Sequence, residues 1–246
     1  MIEELAVSTE PSGLLINDLC LSLGGKPILQ DIKLSLPRQG VVCLLGPSGA
    51  GKSSLLRCIN GLEQGWVGDI KLLGSSIRMW PGGWDKLRRD IGFIAQKPSV
   101  FPASIRANVL FGLSRSERRR SEGLLERCLI QAALLDEVMY RLDEPATSLS
   151  LGQQQRLCIA RALAIQPNFL LMDEPTASLD PASKQLIEKA ILDLADKLLV
   201  VCVTHDIDQA RRLGGSVVFM KDGRALEQNE SVGFFVNPES EKLESA

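Results

Sequence analysis

The sequence lacks three things: an excess of positive charge, paired cysteine motifs and long apolar runs. Its 28 lysines and arginines are outnumbered by 30 aspartates and glutamates, which excludes the bulk electrostatic footprint of a nucleic-acid-binding protein. Its six cysteines form no CxxC pair, and several lie in apolar runs such as VVCLL and LLVVCV. We therefore expect small buried side chains in a reducing cytoplasm, rather than disulfides or metal ligands.

No apolar run approaches the roughly 18 residues that a membrane span needs. The first residues, MIEELAVSTEP, lack the charged and apolar blocks of a signal peptide. We therefore expect a soluble protein with no nucleic-acid partner, whose role at a membrane would come through another protein.

Hydrophobic residues make up 45% of the 246 residues. That is enough for one large domain, or for a domain with a lobed insertion. Short apolar runs separated by turn signals predict strands over residues 14–45. Helical spacing begins at Ser53 and stops at Gly61. Residues 66–95 again predict strands, interrupted by a loop at WPGGW.

The second half of the chain alternates helical patterns with buried strands. Residues 104–145 predict mostly helix, and a further helix starts at Ser150. Two apolar runs, FLLMD (169–173) and LLVVCVTH (198–205), have the length of buried parallel strands and flank a helix over about 182–197. Strands alternating with helices predict an α/β fold with a mainly parallel sheet.

Two stretches of the chain are similar to each other: LDEPATSLS (142–150) and MDEPTASLD (172–180). Only the second follows an apolar strand, because Asp143 of the first comes after EVMYRL. The first copy is therefore expected to be a loop without chemistry.

The strongest chemical signal is GPSGAGKSS, which matches the pattern G-x-x-x-x-G-K-[ST] between a strand and a helix. Its glycines let the backbone wrap so that N–H groups face a phosphate, and the helix N-terminus adds a positive dipole end. Lys52 can reach the β- and γ-phosphates, and Ser53 can ligate Mg²⁺. The residues predicted to bind the nucleotide here, called the P-loop below, are Gly46, Pro47, Ser48, Gly49, Ala50, Gly51, Lys52, Ser53 and Ser54.

Polar residues follow three of the predicted strands, at the sheet edge where α/β proteins bind ligands. Asp173 would hold Mg²⁺, and Glu174 is the predicted general base for an attacking water. His205 would point at the γ-phosphate, while Gln96 could touch Mg²⁺ or the water. The predicted catalytic residues are thus Glu174, His205, Lys52 and Gln96, and the predicted metal ligands are Ser53, Gln96 and Asp173.

The segment LSLGQ (149–153) precedes a helical pattern and has the helix-start spacing [ST]-x-x-[EQ]. Ser150 is the predicted N-cap, and Gln153 would reach back to its amide. Leu151 then falls at the first helical position, where no glycine is required. The glycine expected to need a close backbone approach is Gly152.

In their order along residues 14–240, these motifs resemble those of the ATPase subunit of ABC transporters. GPSGAGKS is similar to the Walker A motif, Gln96 to the Q-loop residue, LSLGQ to the signature motif and FLLMDE to Walker B. SLD (178–180) is similar to the D-loop, and His205 to the switch histidine.

The resemblance implies one ABC ATPase domain over residues 1–246, with a P-loop NTPase (RecA-like) core, an N-terminal antiparallel β part and a helical subdomain. Its implied parts are a core at about 12–96 and 156–228, a helical insertion with the signature at about 97–155, and a tail at about 229–246.

The resemblance also implies ligands and partners. ATP with Mg²⁺ would lie between two copies of the chain in an ATP-bound homodimer, the P-loop of one copy facing the signature of the other. Ser150, Gly152 and Gln153 would contact the nucleotide bound to the partner, and the turn ending at Asp180 would cross the interface. Two transmembrane permease subunits would dock near the Q-loop, with residues 97–113 as the expected region, on the cytoplasmic face of the cell inner membrane.

Within the family, three stretches look most like the ATPase of phosphate importers: residues 88–113, residues 145–164 and the tail FFVNP (234–238). This likeness implies ATP hydrolysis that energises phosphate uptake, with a periplasmic phosphate-binding protein as an indirect partner. An importer of another anion or of an amino acid stays open, as does a soluble ABC protein of translation or DNA repair. A single cassette with a short insertion disfavours the soluble protein, and the intact Lys52, Asp173, Glu174 and His205 disfavour an inactive regulatory cassette.

Two positions depart from the family pattern. Leu23 stands where an aromatic residue usually stacks on adenine, and Ala95 stands before Gln96, where an aromatic residue is frequent. Apolar contact at Leu23 would hold the base without π-stacking, which predicts modest selectivity for ATP over GTP.

Overall fold

The structure, a computed structural model, describes residues 13–119 and 123–230. The implied tail at 229–246, with FFVNP at 234–238, therefore lies almost wholly outside the described residues. Within the two described ranges, no helix is both long and apolar enough to cross a membrane. The division of the chain into core, insertion and tail stays a prediction.

Strands occupy the N-terminal region and then alternate with helices. The strands are β1 (Leu14–Leu23), β2 (Lys26–Leu36), β3 (Gly40–Leu45), β4 (Val67–Leu72), β5 (Ser75–Ser76), β6 (Ile91–Ile94), β7 (Phe169–Asp173), β8 (Leu199–Val203), β9 (Ser216–Lys221) and β10 (Arg224–Glu230). The helices are α1 (Lys52–Ile59), α2 (Gly83–Asp90), α3 (Ile105–Val109), α4 (Arg115–Arg119), α5 (Leu124–Gln131), α6 (Leu135–Val138), α7 (Leu151–Leu163), α8 (Pro181–Ala195) and α9 (Ile207–Leu213). Two short 3₁₀ turns lie at Ile77–Met79 and Ala146–Ser148.

The larger sheet has six strands in the order β10-β9-β3-β8-β7-β6. All neighbours in it pair in parallel except β9 and β10, which are antiparallel. Every residue of β7 and β8 is buried, as expected for a sheet covered on both faces. The predicted α/β fold with a mainly parallel sheet is confirmed, and the carboxyl ends of β3, β6, β7 and β8 meet at one edge.

The smaller sheet is antiparallel, in the order β2-β1-β4-β5. Its strands alternate buried and exposed residues, with pairs such as Leu14–Leu36 and Ile16–Leu34 directed into the core. This sheet packs over α1 and one face of the larger sheet, whereas the other face packs against α3, α5, α7 and α8. Two apolar cores thus hold the central sheet from both sides and fix its carboxyl edge.

Two sequence expectations about local structure need correction. Residues 66–95 contain the helix α2 in addition to strands, and WPGGW is a loop only up to Gly82, after which the helix begins. The pattern GWDKLRRD hid this helix because Leu87 is its only buried residue. The helical stretch predicted over 104–145 is broken into short helices of at most eight residues.

The first copy of the similar stretches lies outside any strand, as predicted. Asp143 follows the last turn of α6 and is largely exposed, and its carboxylate pairs with Arg106 at 3.0 Å. Asp173, in contrast, is the final residue of the buried strand β7. Only the second copy therefore delivers a carboxylate to the carboxyl edge of the parallel sheet.

Candidate nucleotide site

The P-loop connects β3 to α1 and wraps closely against the neighbouring strand β9. Gly46 has a φ of 144°, and a Cβ added there would lie 1.9 Å from the carbonyl oxygen of Met220. Only glycine fits this position, because any side chain would collide with backbone that belongs to a sheet strand. The loop is thereby anchored where β3 ends, with the first turn of α1 directly behind it.

Lys52 is the first residue of α1 and is almost fully buried. Its Nζ donates hydrogen bonds to the carbonyl oxygens of Gly46 at 2.6 Å and Pro47 at 2.9 Å. Burial lowers the pKa of this ammonium, while the nearby carboxylates of Glu174 and Asp173 act in the opposite direction. The ammonium is thus held across the P-loop, where it can meet phosphate oxygens.

Ser53 and Asp173 join the start of α1 to the end of β7. The Ser53 hydroxyl donates to Asp173 Oδ1 at 2.8 Å. Burial raises the pKa of the Asp173 carboxyl, and the hydrogen bond from Ser53 opposes that rise.

These two groups suit Mg²⁺. It prefers hard oxygen ligands at about 2.0–2.1 Å, so neighbouring oxygens in its octahedron stand about 2.9 Å apart. The Ser53 and Asp173 oxygens already have nearly this separation. Within the described ranges, no group of three or more His, Cys, Asp or Glu residues could hold a metal. A metal here would therefore depend on Ser53, Asp173, an amide such as Gln96 and the phosphates themselves.

Glu174, Gln96 and His205 come together from the ends of three adjacent strands. Glu174 Oε2 accepts a hydrogen bond from Gln96 Nε2 at 3.0 Å and lies 3.4 Å from His205 Nδ1. Glu174 has a φ of 46°, unusual for a residue with a side chain, and its N–H donates to the carbonyl of Val203 at 3.1 Å. The three side chains line a cavity of about 250 Å³, so the carboxylate faces a space that can hold a reacting water.

The second group of predicted residues lies at the first turns of α7 and α8. Ser150 caps α7: its hydroxyl accepts from the Gln153 N–H at 3.3 Å, and Gln153 Oε1 accepts from the Ser150 N–H at 2.9 Å. The predicted capping box is confirmed, and Leu151 is the first helical residue with 48% of its surface exposed. Asp180 caps α8, and its Oδ1 accepts from the N–H of Ser183.

The structure therefore assembles the predicted residues into two sets. One set, at the sheet edge, contains the P-loop with Gln96, Asp173, Glu174 and His205. The side chains of Ser150, Gln153 and Asp180 instead hydrogen-bond within the first turns of α7 and α8. Gln153 also donates to Glu137 of α6.

One partner of the capping box was not predicted from the sequence. Glu137 Oε2 accepts from Gln153 Nε2 at 2.6 Å, and Glu137 Oε1 accepts from the buried Arg156 at 2.5 Å. The hydrogen bond from Arg156 holds the pKa of Glu137 below its usual range. Because Glu137 can only accept, it fixes the Gln153 amide with its oxygen toward Ser150.

The contacts of two buried glutamines were also not predicted from the sequence. Gln155 donates from Nε2 to the carbonyl of Ala95 at 3.1 Å and so ties α7 to the residue before Gln96. Gln209 donates to Thr176 Oγ1 at 2.7 Å and to Glu188 at 3.1 Å, which links the turn after Glu174 to α9. Each amide hydrogen-bonds to a segment far away in the chain, which a pattern along one helix cannot reveal.

Comparison with known proteins identifies the family. Residues 29–177 match the family described as ABC transporter. The chain belongs to this family. It is similar to a protein of Aliivibrio fischeri named phosphate import ATP-binding protein PstB 2, with 42% identity over 240 residues that cover 94% of this chain and 88% of that protein.

Two solved structures show the same ABC fold. The first, cbiO1 from Clostridium perfringens, described as part of the ABC transporter complex cbiONQ, has a TM-score of 0.81 and 31% identity over 94% of this chain and 93% of that chain. The second is a dimeric post-hydrolysis state of the ATP-binding cassette MJ0796 bound to ADP and Pi, with a TM-score of 0.74, 30% identity and coverage of 89% and 98%. The predicted P-loop NTPase fold is confirmed, and the chain is an ABC-type ATPase that binds nucleotide.

Proposed function

We propose that this chain is the ATP-hydrolysing subunit of an importer of inorganic phosphate. The observation that carries the substrate is the 42% identity, over 94% of the chain, to a protein named for phosphate import. The proposed assembly is an ATP-bound homodimer joined to two transmembrane permease subunits at the cytoplasmic face of the inner membrane. A periplasmic phosphate-binding protein would deliver the ion to the permeases.

The P-loop is proposed to bind the phosphates of ATP. Its backbone N–H groups and the Lys52 ammonium supply positive charge where the β- and γ-phosphates would lie. Ser53, Asp173 and Gln96 would hold Mg²⁺, which when bound neutralises charge on the phosphate oxygens. The 2.8 Å bond between Ser53 and Asp173 supports this set, because it already brings two ligands together.

Glu174 is proposed to accept the proton of the attacking water. As the water oxygen bonds to the γ-phosphorus, the bond from that phosphorus to the bridging oxygen breaks, ADP leaves, and the proton passes to the Glu174 carboxylate. Gln96 supports this role because its bond to Oε2 orients the carboxylate. His205 Nδ1 lies 3.4 Å from the same oxygen, and its imidazole is proposed to contact the γ-phosphoryl oxygens.

The partner subunit is proposed to complete each site. Its Ser150 hydroxyl, Gly152 amide and Gln153 would contact the γ-phosphate, and its turn ending at Asp180 would approach the opposing P-loop. The support is geometric: the first turn of α7 presents N–H groups and a hydroxyl cap suited to an anion, yet these groups bond within their own region of this chain. The two-copy arrangement brings those groups to a phosphate.

A groove in the helical region supports permease docking near the predicted segment 97–113. It has a volume of about 690 Å³ and is lined by side chains of α3 to α6 and of the residues that follow them, among them Leu110, Leu129 and Met139. Its lining mixes leucines with Arg106 and Glu126, a composition suited to an amphipathic helix of a permease. Asn108 anchors this region to the segment after the Q-loop by accepting from the N–H of Phe101 at 2.8 Å.

The test is uptake and co-purification by cells that carry or lack the full chain. We expect loss of the chain to abolish high-affinity uptake of radiolabelled phosphate while amino-acid uptake continues, and the tagged chain to co-purify with integral membrane subunits. Complementation by Lys52→Ala, which lacks the P-loop ammonium, should fail. Unchanged phosphate uptake, or co-purification with ribosomes or DNA in place of membrane subunits, would refute the proposal.

Base selectivity provides a separate prediction at Leu23. This residue ends β1 with 43% of its surface exposed and offers apolar contact without an aromatic face. We expect the chain to hydrolyse ATP with only a modest preference over GTP, and Leu23→Tyr to lower the KM for ATP about two- to tenfold by stacking. Steady-state hydrolysis with each nucleotide measures this, with Leu192→Tyr on α8, exposed to 42%, as the control. A strong preference of the unmodified chain for ATP would contradict the expectation.

A further inference from the structure

Gly152, the second residue of α7, has no conformational need to be glycine. It lies within the regular helix and has no left-handed φ. Alanine is a better helix former than glycine, so local propensity alone would favour a side chain at this position. The reason for glycine must therefore lie in what the residue touches.

That contact is the first turn of α8. A Cβ added to Gly152 would lie 2.3 Å from Ser183 Oγ and 2.7 Å from Ser183 Cβ. The hydroxyl could rotate away, but the Cβ is fixed to the backbone of α8, so a side chain at 152 must push the two helices apart. The first turns of α7 and α8 thus meet through one glycine and one serine.

Both sides of this contact are firmly held. Ser183 is buried, and its N–H donates to the Asp180 cap at 3.0 Å, immediately after the turn 178–180. On the other side, Ser150 and Gln153 close the first turn of α7. A displacement of one turn would therefore be passed to the other.

We infer that Ser183 is a positioning residue that sets the distance between the signature segment (149–153) and the D-loop turn (178–180). The two segments then move as one body when two copies of the chain close on ATP. This inference rests on the proposed function, in which both segments face the partner's nucleotide. It gives Gly152 a role within its own subunit, in addition to its proposed contact with the partner's phosphate.

A size series at the contact tests the inference with the full chain. Gly152→Ala is expected to lower kcat for ATP about ten- to a hundredfold through misplacement of the signature, while the KM and the binding of a fluorescent ATP analogue to the P-loop change less than about twofold. Adding Ser183→Ala, which removes only Oγ, should restore part of kcat. Adding Ser183→Gly, which removes Oγ and Cβ, should restore most of it. Gly65→Ala is the control, because its Cβ would meet nothing nearer than 3.5 Å.

Dimer closure gives a second measurement. In a Glu174→Gln background, Gly152→Ala should reduce the ATP-dependent dimer seen by gel filtration, and Ser183→Gly should restore it. Normal kcat in Gly152→Ala, or a loss that Ser183→Gly leaves unrepaired in a folded protein, would overturn the inference.

Thermal unfolding separates this inference from the proposed function, since it requires no ATP hydrolysis. If Ser183→Gly restores the Tm lowered by Gly152→Ala, the contact is real even for a chain that hydrolyses nothing. If the unmodified chain lacks ATPase activity, the proposed function fails by itself. Additive Tm changes, with no coupling between the two positions, would refute the contact.

Discussion

Replacing Glu174 with glutamine should leave ATP binding close to normal and slow hydrolysis by about 10²- to 10⁴-fold. Glutamine keeps the size of the side chain and can still accept the hydrogen bond that Gln96 donates to Glu174 at 3.0 Å. What it loses is the ability to take a proton from water at neutral pH. The variant should therefore accumulate as an ATP-bound dimer.

Single-turnover hydrolysis of radiolabelled ATP, together with gel filtration in ATP and Mg²⁺, measures both effects. Glu144→Gln serves as the matched control, because Glu144 is about half exposed and forms an ion pair with Arg141. The control should hydrolyse ATP at the normal rate. Near-normal turnover by Glu174→Gln would remove Glu174 from the role of base.

Gly152→Asp should nearly abolish ATP hydrolysis, with a loss of more than about a hundredfold. The new side chain meets Ser183 within its own subunit, and its carboxylate adds charge where Asp180 Oδ2 lies 3.9 Å from the new Cβ. In the proposed closed dimer the same carboxylate would also face the γ-phosphate held by the partner. Steric overlap and like-charge repulsion therefore act together.

Leu151→Gly is the matched comparison for this loss. Leu151 is the first residue of α7 and is half exposed, so its removal costs at most about 1 kcal/mol of helix propensity. We expect the steady-state ATPase rate to change less than about twofold. A large gain of activity would instead show that leucine impairs this signature. Ser183→Gly should not rescue Gly152→Asp, because it relieves the overlap and leaves the charge.

The sheet edge could be read from the sequence because its strands are buried on both faces. FLLMD and LLVVCV are continuous apolar runs, so the polar residues that end them are easy to place at the carboxyl edge. The convergence of Gln96, Glu174 and His205 follows from the parallel order of β6, β7 and β8. The capping box at Ser150 was equally predictable, because it depends on residues three apart.

Helix α2 and the long-range contacts that hold the site segments in place were not predictable from the sequence. The periodicity of α2 is concealed because it buries one leucine beneath a charged surface. Glu137 with Gln153, Gln155 with Ala95, and Gly152 with Ser183 each join segments whose spacing in the chain carries no periodic signal. Tertiary packing alone brings these segments together. The transported ion could not be predicted from the site, because the site residues contact only nucleotide.

The burial of most cysteines determines which thiol of the protein can be labelled with a fluorophore. Cys43, Cys58, Cys128, Cys158 and Cys202 are buried, and burial raises the pKa of Cys43 and Cys58 to about 12 and of Cys128 to about 11. Cys20, on β1, is the exposed one. A maleimide fluorophore should thus attach at a single native position per subunit. In the proposed homodimer, energy transfer between two such dyes would report association of the subunits without any engineered cysteine.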